Sequence, residues 1–313
     1  MQDPTSRHDL NLNPTPASFP DRRDDRFLID SSPFENDPFV DPPAIRSPRV
    51  FDIPGVVHTF LFFALAIFIL LVGEFATVAI GRQLSPFRHE DFSTLAGDAR
   101  LMIPAQALQY LVLLVLTAIL FGAIWRQPFW NAIHWNAPAA AKRWLALIGL
   151  GILLGFGSSL ASNYLPMPKE APILNDLMHS TTGAWLMFIF GTTGAPLIEE
   201  LGFRGFLLPS LLNLFRGLER RQAISPATAA GVGIPVSILL TSLPFALLHS
   251  LQVSNAWAPI LLIGVVSIVL CLVRLWTNSL AASTLVHATY NFCLFAGMLV
   301  ASDGFRHLDK LNN

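Results

Sequence analysis

The chain of 313 residues is 53% hydrophobic and only 13% charged, with a mean hydropathy of +0.53, well to the apolar side of ordinary soluble domains. A net charge of −1 provides neither a basic field for nucleic acid nor an acidic one for a cationic ligand. Its two cysteines, Cys271 and Cys293, fall in apolar stretches without metal-knuckle spacing, so they read as small core residues and not as a disulfide framework or zinc ribbon.

Residues 1–52 are rich in proline among Asp, Arg and Ser, the composition of a disordered polar tail. No charged-then-apolar stretch ending in small residues precedes the first long apolar run, which is therefore expected to act as a signal anchor. A spanning helix needs about 20 apolar residues. Stretches 55–80, 101–124, 143–165, 257–276 and 280–301 meet that length cleanly, and 184–213 and 231–251 meet it while holding titratable groups. Pro196 or Pro209 is expected to bend or end the 184–213 stretch. The expected fold is all-α, a polytopic transmembrane bundle of seven to eight helices. It divides into the tail (1–52), N-terminal transmembrane helices (53–183) and a C-terminal helical unit (184–303).

Lys and Arg in the short connections set orientation. With the tail in the cytoplasm, Arg46, Arg49, Arg126, Lys142, Arg143, Arg216, Arg220, Arg221 and Arg274 share its side, against Arg82, Arg88, Arg100, Lys169, Arg306 and Lys310 opposite. The bias places the tail inside, and the cell membrane is the expected location. Arg274 is expected to snorkel from its helix end. Glu74 stands without a nearby second charge, and Gln106 and Gln109 read as interhelical hydrogen-bond donors.

The polar residues of the last apolar segments carry the chemistry. In Ala195-Pro-Leu-Ile-Glu-Glu-Leu-Gly-Phe-Arg-Gly205, two carboxylates and a guanidinium occupy a stretch fit for hydrocarbon, where unpaired charge is costly. Glu200 and Arg204 are four apart and share a helix face, whereas Glu199 is turned away by about 100°. Glu200 is thus neutralised as structural support, and Glu199 is left for another task. Phe245 lies one turn before His249, placed to pack beneath its imidazole, and His287 and Asn291 share a face four residues apart. Peptide hydrolysis by an activated water needs a base and donors for the developing oxyanion. Glu199 with His249 supplies the first, His287 with Asn291 the second.

Glu-Glu-x-x-x-Arg at 199–204, Phe-x-x-x-His at 245–249 and His-x-x-x-Asn at 287–291, in this order on successive apolar segments, resemble the CPBP family of intramembrane proteases. That family groups the CAAX prenyl endopeptidases with bacteriocin-processing and self-immunity proteins. The resemblance covers 184–301 and implies that Glu199 is the catalytic glutamate, His249 its partner on the water, and His287 with Asn291 the oxyanion pair. It also implies a metal-free mechanism. The expected function is intramembrane hydrolysis of a peptide bond, with a peptide or lipidated protein as substrate, the bilayer as surroundings and no nucleic acid.

Rival readings are a catalytically silent scaffold or self-immunity factor, a proton-coupled transporter, and a zinc peptidase with Glu199, His249 and His287 as ligands. The helical His-Glu-x-x-His pattern is missing, and so are paired broken-helix repeats. One geometric difficulty stands against every version. At about 1.5 Å per residue, His287 lies about a third of the way into the bilayer and His249 near the far end of its segment. To meet, the 231–251 helix must start inside the membrane, tilt, break at Pro235 or Pro244, or have other bounds.

Overall fold

The computed structural model describes residues 53–84, 87–88, 90–168 and 180–311. The tail expected over 1–52, with its SSPFENDPFV segment, and Lys169 lie outside the described residues. In hydrocarbon every backbone N–H and C=O must be satisfied within the protein, and the described residues accordingly form helices and no strands. The principal ones are α1 (Val56–Gly81), α2 (Ala99–Trp125), α3 (Trp144–Ser162), α4 (Thr181–Thr192), α5 (194–220), α6 (Pro226–Leu248), α7 (Trp257–Thr277) and α8 (Leu280–Ala301). Six of them, α1–α3 and α6–α8, are long and apolar enough to cross a bilayer. Their outward faces are apolar: Phe60, Phe68 and Phe75 of α1 and Phe156 of α3 are all well exposed. In water such faces drive aggregation, whereas in lipid they are ordinary solvent contact. The chain is an integral membrane protein. Burial marks α7 and α6 as its inner helices, with 44% and 39% of their spanning windows buried against 17% for α1, α2, α3 and α8.

Packing joins these helices into one bundle. Phe62 of α1, Leu113 and Phe121 of α2, and Ile198, Leu201 and Phe206 of α5 form one buried cluster. Leu147 of α3, Val266, Leu270 and Val273 of α7, and Val286 and Tyr290 of α8 form another. Close approach of α3 to α8 depends on Gly151 and Gly155, four residues apart on one face. A Cβ at 151 lies 2.6 Å from Thr289 Cβ and 2.8 Å from the Val286 carbonyl oxygen, and one at 155 lies 2.6 Å from Cys293 Cβ. Gly151→Leu is therefore expected to push the two helices apart and cost about 1–3 kcal/mol or more, read as a lowered thermal midpoint in detergent. Gly157→Leu is the control, because a Cβ there meets nothing within 4 Å.

The expected 184–213 span is two helices. The Thr192 hydroxyl donates to the Phe188 carbonyl at 2.7 Å and the Thr193 hydroxyl to that of Ile189 at 2.6 Å. This back-bonding occupies the last carbonyls of α4, and Thr193 leaves helical conformation at φ −126°, ψ −72°. Gly194 opens α5, with Pro196 in the first turn, where a missing N–H breaks no helical bond. Pro196 thus helps start a helix instead of ending one. Pro209 ends nothing either. α5 runs as Gly194–Glu200, a π-helical turn Leu201–Leu207, and Leu208–Arg220. A second π turn, Ala229–Gly233, precedes Pro235 in α6. Each wide turn ends two residues before a proline, whose ring collides with the carbonyl four residues back in an ordinary helix.

Part of the depth difficulty was one of bounds. α6 begins at Pro226, not 231, and ends at Leu248 with His249 as its C-cap. Ser242 of α6 sits against Cys271 of α7 at 3.8 Å. From that level α7 continues for about six residues to Thr277 and α6 extends back about sixteen to Pro226. At about 1.5 Å per residue the α5–α6 hairpin therefore protrudes about 15 Å beyond the α7–α8 turn. By the same count the backbone of His249 lies about seven residues beyond Ser242, about 10 Å, and the two imidazoles nonetheless meet, with their Nε2 atoms 3.8 and 3.7 Å from Glu199 Oε2.

Arg274 does not snorkel. It is 6% exposed, donating to the Asn278 side chain at 3.2 Å and to the Ile133 carbonyl at 3.5 Å. The segment after α2 covers it: Leu280 N–H donates to the His134 carbonyl and the Ser279 hydroxyl to that of Asn136, at 2.9 and 2.7 Å. At the opposite end of α2, Asp98 caps the helix. It accepts from the Arg100 guanidinium and backbone N–H, and the guanidinium holds its carboxyl below the usual range.

Candidate active site

Two adjacent glutamates near the start of α5 face different neighbours. Glu200 and Arg204 are both fully buried, with Arg204 Nη1 donating to Glu200 Oε1 at 2.8 Å. Arg204 Nη2 reaches the Ser267 carbonyl at 2.9 Å and its hydroxyl at 2.6 Å, so α7 fixes the guanidinium from the far side. The guanidinium carbon also lies 4.5 Å from the centroid of the Phe245 ring, a cation–π contact from α6. One buried pair thereby joins α5, α6 and α7. A third group is bound to it: His287 Nδ1 of α8 lies 3.1 Å from Glu200 Oε1.

Glu199 points to the other side. Its Oε2 lies 3.8 Å from His249 Nε2 and 3.7 Å from His287 Nε2. The carboxylate is 18% exposed and the His249 side chain 19%, against 4% for His287. Phe245 holds both histidines by its ring, with centroids 4.9 Å from His249 and 5.8 Å from His287, and Phe203 packs edge-on against it. These separations are too long for direct hydrogen bonds and match the spacing at which one small bridging group sits between polar partners.

The hydrogen bonds on the remote ring nitrogens fix what the near ones can do. His249 Nδ1 is 2.8 Å from the Phe245 carbonyl oxygen, which only accepts, so this nitrogen carries the proton. Glu200, ion-paired with Arg204, also only accepts, so His287 Nδ1 carries a proton too. In both neutral rings Nε2 is then a lone pair directed at Glu199. With both rings in that form three acceptors converge, and they need hydrogens or a cation between them.

Asn291, one turn after His287, donates its side-chain amide to the Gly191 carbonyl at 2.8 Å, at the end of α4. The break after Gly191 thus sits beside the proposed oxyanion pair. The six motif residues, Glu199, Glu200, Arg204, His249, His287 and Asn291, are brought by α5, α6 and α8 into one neighbourhood with Phe245 beneath the imidazoles. Sequence spacing did not reveal Ser267, which fixes Arg204, or Gly191, which holds Asn291. Gly191 acts through its backbone carbonyl, which any residue type supplies, and Ser267 through its carbonyl and its hydroxyl. Gln106 and Gln109 lie on α2, and Gln109 packs on Gly73 of α1. Glu74 is exposed on α1, away from this cluster.

An apolar groove of about 1240 Å³ runs between α3 and α8, lined among others by Ile152, Phe156, Ala288, Phe292 and Gly297. It reaches Thr192 and Thr193 at the break between α4 and α5, the residues that follow Gly191.

Residues 181–293 match the family model of Type II CAAX prenyl endopeptidases, Rce1-like. The matched stretch starts with α4, extends into α8 and contains every side chain of the cluster around Glu199. It agrees with the resemblance to the CPBP family carried by the three motifs. No curated protein and no solved structure matches the chain.

Proposed function

We propose that the chain is an intramembrane endopeptidase in which Glu199 and His249 activate a water to hydrolyse a peptide bond. The observation that carries this reading is the convergence of Glu199 Oε2 with the Nε2 atoms of His249 and His287 at 3.8 and 3.7 Å. A water held there donates one hydrogen to Glu199 and the other to His249. As its oxygen attacks the carbonyl carbon, Glu199 takes the proton and later returns it to the departing amine. The oxyanion is met by the second N–H of the Asn291 amide and by His287. Because His287 Nδ1–H is committed to Glu200, its Nε2 donates only when the ring is doubly protonated, with Glu200 as the counter-charge. That need gives Glu200 a share in catalysis beyond packing.

The family match names prenyl endopeptidases, and the groove between α3 and α8 suits the lipid of such a substrate. It is apolar, open toward the bilayer face and next to the Asn291 side of the site. The test uses purified protein in proteoliposomes with an S-prenylated peptide and its unmodified counterpart. Wild type should release the C-terminal fragment of the prenylated peptide. Gly297→Trp fills the groove at a position where a Cβ meets nothing within 4 Å. It should raise KM for the prenylated peptide about tenfold or more, as expected for losing about 1.4 kcal/mol or more of apolar contact. The unmodified peptide should be unaffected. An equal effect on both peptides would remove the groove from substrate binding.

A zinc reading draws on the same two lone pairs. Four ligands at about 2.0–2.1 Å from a tetrahedral ion stand roughly 3.4 Å apart, shorter than the separations here. Among the described residues, no three His, Cys, Asp or Glu side chains close to the spacing a metal needs. We therefore read the reaction as metal-free. Stoichiometric zinc in purified protein, with loss of turnover on chelation, would reverse that choice. The N-terminal tail is placed in the cytoplasm on the Lys and Arg distribution alone.

A further inference from the structure

The groove between α3 and α8 has a starting point and a length as well as an apolar wall. Its near end lies at the site: Ala288 follows His287, Phe292 follows Asn291, and both line it together with Thr192 and Thr193 beyond Gly191. Its far end is Ala301, the last residue of α8. At about 1.5 Å per residue the wall on α8, from Ala288 to Ala301, is about 20 Å long, and the wall on α3, from Ile148 to Ser159, about 17 Å. At Gly155 the two helices touch, where a Cβ would lie 2.6 Å from Cys293 Cβ, whereas at Gly297 a Cβ meets nothing within 4 Å.

The threonines of the wall commit their hydroxyls to their own helices. Thr289 donates to the Leu285 carbonyl at 2.8 Å, and Thr192 and Thr193 turn back onto α4. A matching occupant is therefore hydrocarbon along its length, since a polar group there would go unpaired. An extended chain advances about 3.6 Å over the three bonds of a residue, or about 1.2 Å per bond, so an all-trans isoprene unit of four bonds advances about 5 Å. Counted from Ala288, three units reach about 14 Å, the level of Gly297, and four reach about 19 Å, the level of Ala301.

We propose that the groove gauges the length of the substrate's lipid and takes an isoprenoid of four units, laid along α8 from Ala288 to Ala301. Its third unit passes Gly297, whose missing side chain leaves it room, and its fourth ends beside Ala301. The lipid comes from a bilayer as apolar as the groove, so each unit gains dispersion contact with the wall and not the full transfer energy from water. A fifth unit runs past the end of α8 and gains nothing. This assignment deepens the hydrolase function proposed above and rests on it.

The experiment measures kcat/KM in proteoliposomes for one peptide carrying S-linked chains of two, three, four or five isoprene units. The proteins are wild type, Gly297→Trp, Ala301→Trp and Glu199→Gln. Wild type should gain about threefold with the third unit, about threefold again with the fourth, and nothing with the fifth. Relative to the two-unit peptide, Ala301→Trp should lose only the gain from the fourth unit, and Gly297→Trp the gains from the third and fourth together. The wild-type series stands even if either variant fails to fold. Equal rates at all four lengths, a gain that continues into the fifth unit, or a wild-type length profile in both variants overturns the gauge, and is the pattern of a groove filled by bilayer lipid. If cleavage needs Glu199 and ignores chain length, only the gauge fails. If Glu199→Gln turns over normally, or wild type cleaves none of the peptides, the hydrolase reading fails and the gauge with it.

Discussion

Glu199→Gln is expected to lower turnover by about 10²–10⁴-fold, the usual contribution of a positioned general base, while the protein accumulates and unfolds as wild type does. The carboxamide keeps the shape of the side chain and cannot take a proton from water. Glu199 is partly exposed, and its neighbours His249 and His287 are 3.8 and 3.7 Å away. Removing its charge therefore breaks no buried ion pair. Single-turnover rates on the S-prenylated peptide, together with the thermal midpoint in detergent, separate loss of chemistry from loss of fold. A variant that cleaves at the wild-type rate would take Glu199 out of the reaction.

The opposite pattern is expected for the neighbouring ion pair of Glu200 and Arg204. Arg204→Met leaves the Glu200 carboxylate, fully buried, without its cation. Breaking a buried pair in this way typically costs about 3–5 kcal/mol, a large part of the stability of an ordinary fold. Arg204 also bonds Ser267 and stacks on Phe245, so its loss loosens the contact of α5 with α6 and α7 at once. The variant should fail to accumulate in membranes or show a sharply lowered midpoint. Combining it with Glu200→Gln removes the stranded charge and should restore part of the stability. Turnover should stay low, because His287 then lacks its anion. A midpoint equal to wild type in Arg204→Met would mean that the pair does not hold the helices together.

The pairing of Glu200 with Arg204, and the placing of Phe245 beneath His249, were legible in the sequence because both follow from four-residue spacing on one helix. The polytopic all-helical fold was legible for a similar reason, since long apolar runs have few structural outcomes. Other features depend on partners that no spacing reveals. Pro209 and Pro235 were visible, but a proline can end, kink or widen a helix, and here each follows a π turn. The break at Thr193 comes from hydroxyls that turn back onto α4, so the 184–213 stretch read as one span. Arg274 read as a snorkelling residue because its cover, the segment at 133–136, is far away in sequence. Gly151 and Gly155 likewise show their purpose only once Thr289 and Cys293 are set against them.

The central claim, that Glu199 turns a water on a peptide bond, is tested most directly by peptides from membranes incubated in ¹⁸O-water. Wild-type protein and Glu199→Gln are compared at equal abundance. Fragments that carry one ¹⁸O in a newly formed carboxyl terminus should accumulate with wild type and be missing with the variant. Identical labelled profiles for the two proteins would contradict it.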